Sequence, residues 1–267
     1  MERDPDDEGF SKRLNDSGVM AIPKIVTRYL LVKGVHKVAR LFRMALLWPP
    51  HSCVRWGSLR RTSPVSRVFG LDRGQAIGRY FIEKFLASRA DQIRGKVLEI
   101  GDNRYTKCFG GSRVTRSDVL HAVAGNPKAT LVGDLQSGQG LSSEVFDCII
   151  LTQTLQFVYD MKAAVETLHR CLRPGGVVLA TGTGISQISR YDMDRWGEYW
   201  RFTSLSARRM FEAVFGVGAV TVKTYGNVLA ATAMLQGISA SELRPAELDA
   251  QDPDYEVVIT IEAVRRP

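Results

Sequence analysis

One run in this chain is apolar on both faces, and it restricts the fold more than any other feature. Residues 145–151 read Val-Phe-Asp-Cys-Ile-Ile-Leu, nearly continuous rather than alternating. A strand of this kind is buried on both sides, as in a mostly parallel sheet covered by helices on each face. The flanking sequence agrees. Strands are expected at 96–100, 113–119, 129–133, 177–181, 219–224 and 255–264. Helical periodicity is expected at 75–89, 161–172, 206–215 and 227–235, with Ser204 or Ser206 capping the third of these. Strands alternating with helices give an open, mostly parallel α/β sheet.

Charge divides the chain differently. The net charge is +8, yet no Asp or Glu occurs between Ser17 and Leu71. That stretch carries Lys24, Arg28, Lys33, Lys37, Arg40, Arg43, Arg55, Arg60, Arg61 and Arg67, so the rest of the chain is near neutral. Residues 1–20 are expected to be a disordered acidic tail. Residues 21–69 are expected to hold a basic amphipathic helix, 25–48, and a linker; residues 70–267 form the body. The helix ends at Pro49-Pro50. Its apolar face can pack on the body, pair with a second copy, or lie on an anionic membrane surface. Nucleic acid is disfavoured, because aromatics are not interleaved with the basic residues. No apolar stretch is long enough to span a bilayer, and the N-terminus lacks a secretory pattern. A cytoplasmic location, with the inner face of the membrane as a variant, is the expectation. Cys53, Cys108, Cys148 and Cys171 show no metal-ligand spacing, so reduced, mostly buried thiols and no metal are expected.

In open parallel sheets, ligands bind outside the carboxyl ends of the strands. The first strand ends Glu99-Ile100-Gly101-Asp102-Asn103. Gly101 permits close backbone approach to a ligand, and Glu99 or Asp102 can orient the turn or accept from an ammonium group. Asp118, in the second strand, can take both hydroxyls of an adenosine ribose, or be an ordinary surface acid. After the third strand, Asp134 can accept from an adenine amine and Leu135 can pack on its ring. The segment Gly182–Thr203 is long and rich in aromatic and charged residues, including Tyr191, Trp196 and Trp200. That mixture suits either a sugar or a packed lid. A hydroxyl acceptor needs a proton acceptor; the candidates are His121, Asp192 and Asp194, although a lone His is more often structural.

Taken in order, Val-Leu-Glu-Ile-Gly at 97–101, the acid at 118, Gly-Asp-Leu at 133–135, the run 146–156 and Leu-Arg-Pro-Gly-Gly at 172–176 resemble the class I S-adenosylmethionine-dependent methyltransferases of the methyltransferase domain 11 type. The last motif is the most specific, and the resemblance covers residues 70 to 265. It implies a Rossmann-like seven-stranded sheet with helices on both faces, S-adenosylmethionine as cofactor, and Gln153 near it. Arg73-Gly74, Arg79–Glu83 and Trp200–Thr203 look like a subgroup associated with bacterial polysaccharide modification, which implies O-methylation of a glycan or other small-molecule hydroxyl. Arg73, Arg79 and Tyr80 can then help close the pocket. The sequence also departs from the family: the usual Gly-x-Gly-x-Gly loop reads Gly101-Asp102-Asn103-Arg104-Tyr105, and the short gap before the second strand leaves little room for a helix. A catalytically reduced binding or partner module is the competing reading. A nicotinamide oxidoreductase is disfavoured, since Gly-x-Gly-x-x-Gly is missing after the first strand.

Overall fold

The computed structural model describes Pro49 and residues 53–267. The expected acidic tail and the 25–48 helix lie outside the described residues. Chain contacts divide the molecule into two compact units, Met1–Arg60 and Arg61–Pro267. In the first, the described part contains one short 3-10 turn, Gly57–Leu59. The second begins at Arg61, ahead of the boundary at residue 70 read from sequence.

A seven-stranded sheet forms the centre of the second unit. Its strands are β1 (Gly95–Ile100), β2 (Val114–His121), β3 (Leu131–Val132), β4 (Phe146–Thr152), β5 (Leu172–Thr183), β6 (Val220–Tyr225) and β7 (Val258–Val264). Their order is β3-β2-β1-β4-β5-β7-β6. The first five pair in parallel, and β7 runs antiparallel between β5 and β6. Strand β4 is the apolar run at 145–151, and Cys148 through Leu151 are fully buried.

Helices cover both faces. On one, α2 (Met161–Cys171) and α4 (Ser204–Phe215) pack Leu168, Phe211 and Phe215 against Ile149 and Leu151. On the other, α1 (Ile77–Ala87) and α5 (Val228–Gln236) pack Phe81, Phe85 and Ala230 against Cys148 and Ile150. Burial of each large side chain such as Phe81, Phe146 or Phe211 contributes about 1.5–3 kcal/mol. Two short helices, α3 (Arg190–Trp196) and α6 (Pro245–Asp249), complete the unit.

Local chemistry sets the element ends. Asp160 caps α2 by accepting from Ala163 N at 3.0 Å. Helix α4 is capped by Thr203, not by Ser204 or Ser206; Thr203 is extended (φ −112°, ψ 160°), and Ser206 is its partner in a capping box. Between β1 and β2 the expected short helix is a single wide turn, Thr106–Gly110. The Arg173-Pro174-Gly175-Gly176 segment lies inside β5, where the register shifts. A Cβ on Gly176 would sit 3.0 Å from Phe146 O and 2.9 Å from Arg173 O, so close backbone approach requires glycine there.

Candidate active site

The carboxyl ends of β1, β2, β4 and β5 lie along one edge of the sheet. At β1, Glu99 is 2% exposed. Its carboxylate accepts from Tyr105 N (3.1 Å), Thr106 N (2.7 Å) and Thr106 Oγ1 (2.7 Å). Burial pushes the carboxyl up from its ordinary value, while these three donors pull it down. Glu99 therefore orients the turn. Gly101 follows at φ +84°, and no atom lies within 4 Å of where its Cβ would stand. Its N–H donates to Leu120 O at 2.9 Å. Asp102 accepts from Arg104 N (3.1 Å) and Lys128 Nζ (3.4 Å).

At β2 the structure departs from the sequence reading. Asp118 pairs with Leu98 in mid-strand, and β2 continues to His121. The carboxylate is 2% exposed; it meets Arg116 Nε at 3.1 Å, Thr130 Oγ1 at 3.1 Å and Lys96 Nζ at 3.8 Å. It is neither at the strand end nor a surface acid. The strand-end position belongs to His121, whose Nδ1 bonds Val123 O at 2.8 Å and whose ring lies 5.9 Å from that of Trp196. After β3, Asp134 accepts from Gln136 N and Ser137 N, and these bonds hold its carboxyl below its usual range despite partial burial. Leu135 is only 6% exposed and belongs to the core.

A cavity of about 1120 Å³ opens at the ends of β4 and β5. Gln153 and Gln156, on the turn leaving β4, and Thr183, ending β5, lie on its wall. Gln153 takes a left-handed conformation, φ +49°, unfavourable for a non-glycine residue and concentrated at functional sites. Its N–H is held by Thr181 O at 3.0 Å. Gln156 Nε2 donates to Gln153 Oε1 and Thr183 Oγ1, each at 3.2 Å, and Thr183 Oγ1 donates to Gln153 Oε1. Gln156 Oε1 and Gln236 Oε1 are buried without partners, and both residues line the cavity. Each unmet acceptor costs about 1–3 kcal/mol.

Among the candidate bases, Asp192 lies on the cavity wall and accepts from Ser189 Oγ at 2.6 Å. Asp194 is exposed, 4.0 Å from Arg190, and neither it nor His121 lines the cavity. Arg73 and Tyr80 are also placed elsewhere. Arg73 grips Glu242 with two nitrogens (2.8 and 2.6 Å), and Tyr80 donates to Asp249 at 2.7 Å. Both pair with the C-terminal segment. Arg79 and Tyr105 do line the cavity. Sequence reasoning did not single out Gln156 or Thr183, although polar residues at the ends of apolar strands were a signal for both, and it placed Glu198 only within the acceptor-side segment 182–203.

Residues 100–180 match the family model of a methyltransferase domain. A domain of this kind is an enzyme domain, and its methyl donor is S-adenosylmethionine. No curated protein matches the chain. Among solved structures, the chain is similar to the N-methyltransferase NodS of Bradyrhizobium japonicum WM9 in complex with S-adenosyl-L-homocysteine. Identity is 15% over 73% of this chain and 90% of that one, at a TM-score of 0.45. The [4+2]-cyclase SpnF gives 16% identity over 73% and 83%, with a TM-score of 0.47. A possible histamine N-methyltransferase of Thermotoga maritima gives 13% over 73% and 95%, with a TM-score of 0.46.

The residues of the methyltransferase domain fit the cofactor at two places. The open face of Gly101 leaves room for a ligand against the backbone, and the Gln153 turn with its unmet amide oxygen nearby offers polar contacts at the next strand end. The end of β2 carries His121 in place of an acid.

Proposed function

We propose that this chain methylates a hydroxyl of a sugar, glycan or other small molecule bound in the cavity at the ends of β4 and β5. The observation that carries the reading is the wall itself: a hydroxyl and amide network (Gln153, Gln156, Thr183), two unmet amide oxygens and two carboxylates (Asp192, Glu198) share one cavity. The cofactor supplies a methyl group activated by a sulfonium. Gly101, the Glu99-braced turn and Gln153 hold it; Asp102 and Asp134 sit at the same edge and are available to its polar ends. The protein's further task is alignment and exclusion of water. Segment Ser186–Glu198 walls one side of the cavity. Asp192 accepts the proton from the acceptor hydroxyl as that oxygen becomes nucleophilic, and Ser189 Oγ keeps its carboxylate oriented. Glu198 is the other carboxylate on the wall, but Arg201 at 2.7 Å and Ser189 N at 2.8 Å already occupy it.

The test is transfer of label from S-[methyl-14C]-adenosylmethionine to a panel of saccharides. Asp192→Asn should lower kcat at least a hundredfold and leave S-adenosylhomocysteine affinity unchanged. Unchanged turnover would remove Asp192 from the mechanism. Absence of transfer to any hydroxyl compound, with S-adenosylhomocysteine still bound, would favour the second reading, a catalytically reduced partner module. The one feature favouring that reading is the 101–105 loop, which lacks the second and third glycines. A role in polysaccharide biosynthesis and a contact of residues 25–48 with a membrane or a second copy belong to the same proposal; they rest on the subgroup resemblance and on the amphipathic charge pattern of the sequence. Among the described residues no helix is long and apolar enough to cross a membrane.

A further inference from the structure

The cavity is unevenly charged. Arg61, Arg67, Arg79 and Arg190 line it, against two carboxylates, Asp192 and Glu198. The carboxylates already have partners, Ser189 and Arg201. The guanidinium groups of Arg61, Arg67 and Arg79 have no carboxylate within 4.0 Å among the described residues, and Arg190 only reaches Asp194 at that limit.

Arg79 is placed least comfortably. It is half-buried in the first turn of α1, where a cation opposes the helix dipole. That turn begins at Ala76, and no side chain caps it, so first-turn N–H donors are left for another acceptor. Ala76, Ile77, Gly78 and Arg79 all line the cavity. An uncapped helix start beside an unpaired guanidinium is arranged for an anion. The opposite requirement, a hydrogen-bond donor, comes from the unmet oxygens of Gln156 and Gln236 on the same cavity wall; Gln156 is 3% exposed.

We infer that the acceptor is an anionic saccharide. Its carboxylate or phosphate pairs with Arg79 and the start of α1, Arg67 assists from the facing segment, and its hydroxyls meet the amide network. This inference rests on the hydroxyl-acceptor reading of the cavity and narrows its substrate class.

Titration calorimetry on the full chain, saturated with S-adenosylhomocysteine, tests it with three probes. These are methyl glucuronide (carboxylate), glucose 1-phosphate (phosphate) and methyl glucoside (neutral). One or both charged probes should bind at least tenfold more tightly than the neutral one, and the tighter of the two names the anion. Arg79→Gln should remove that advantage, while Arg79→Lys, which keeps the charge, should retain part of it. S-adenosylhomocysteine affinity should not change in either variant; a loss in Arg79→Gln would assign Arg79 to the cofactor's own carboxylate and overturn the inference, whereas failure of the wild-type chain to bind S-adenosylhomocysteine would count against the methyltransferase reading instead. Equal binding of neutral and charged probes, no binding of any probe, or an advantage that survives Arg79→Gln would overturn the inference.

Discussion

A buried carboxylate in a strand can serve a ligand or the scaffold, and its neighbours decide which. Asp118 is 2% exposed and lies against Arg116, Thr130 and Lys96, with one carboxylate oxygen lacking a hydrogen-bond partner among the described residues; we expect these contacts to tie it to the sheet. Asp118→Asn should cost about 1–3 kcal/mol, read as a fall in Tm of about 3–10 °C for a domain of this size. S-adenosylhomocysteine affinity should stay within about twofold; a tenfold loss would return Asp118 to the binding site. From sequence alone Asp118 looked like the ribose ligand because the strand was expected to stop at Val119. The missing information was two residues of strand length, and propensity does not fix strand ends that closely. Glu99 was legible in kind: an acid just before the glycine was expected to orient the turn or meet an ammonium, and it does the former. The core position of Leu135 and the place of Asp194 off the cavity were not legible, since nothing in their local sequence says which side of a turn or helix faces inward.

At the scale of elements, α1 is tied to the C-terminal segment by polar clamps. Arg73 just before it holds Glu242, and Tyr80 and Lys84 within it hold Asp249 at 2.7 and 2.6 Å. Hydrogen bonding to Arg73 depresses the Glu242 carboxyl to about 2. A depressed folded value means stability that is present above the ordinary glutamate range, about 4.3, and is lost as pH falls through the folded value. Wild type should therefore melt above Glu242→Gln by a constant margin from pH 6 to 8. The margin should narrow as pH drops below about 4.5. A margin that disappears near pH 6, or grows in acid, would contradict this origin. The helices and strands themselves were largely readable, because 3.6-residue and two-residue periodicities are properties of local sequence. Caps and clamps were less so. Thr203 outcompeted two neighbouring serines through its extended backbone, and the Arg73–Glu242 contact joins residues far apart in the chain, where no local pattern reports it.

The whole molecule presents a sheet of order β3-β2-β1-β4-β5-β7-β6; its mostly parallel α/β character was visible in the apolar central run and the strand–helix alternation, and its strand order was not. The cavity was not. Its wall combines the 61–71 segment, the start of α1, the turns after β4 and β5, and α3, and only folding brings these together. Two of the expected cofactor contacts, Arg73 and Tyr80, fell outside it, while Arg79 between them fell inside. The assignment of the cofactor edge depends most on the open backbone at Gly101. Calorimetric titration of S-adenosylhomocysteine onto the full chain, and onto Gly101→Val, tests that directly. One equivalent should bind to wild type with a Kd in the micromolar range, and the valine variant, whose side chain projects into the open face at φ +84°, should lose at least a hundredfold while remaining folded by circular dichroism. No binding by wild type, or equal binding by both proteins, would contradict the account.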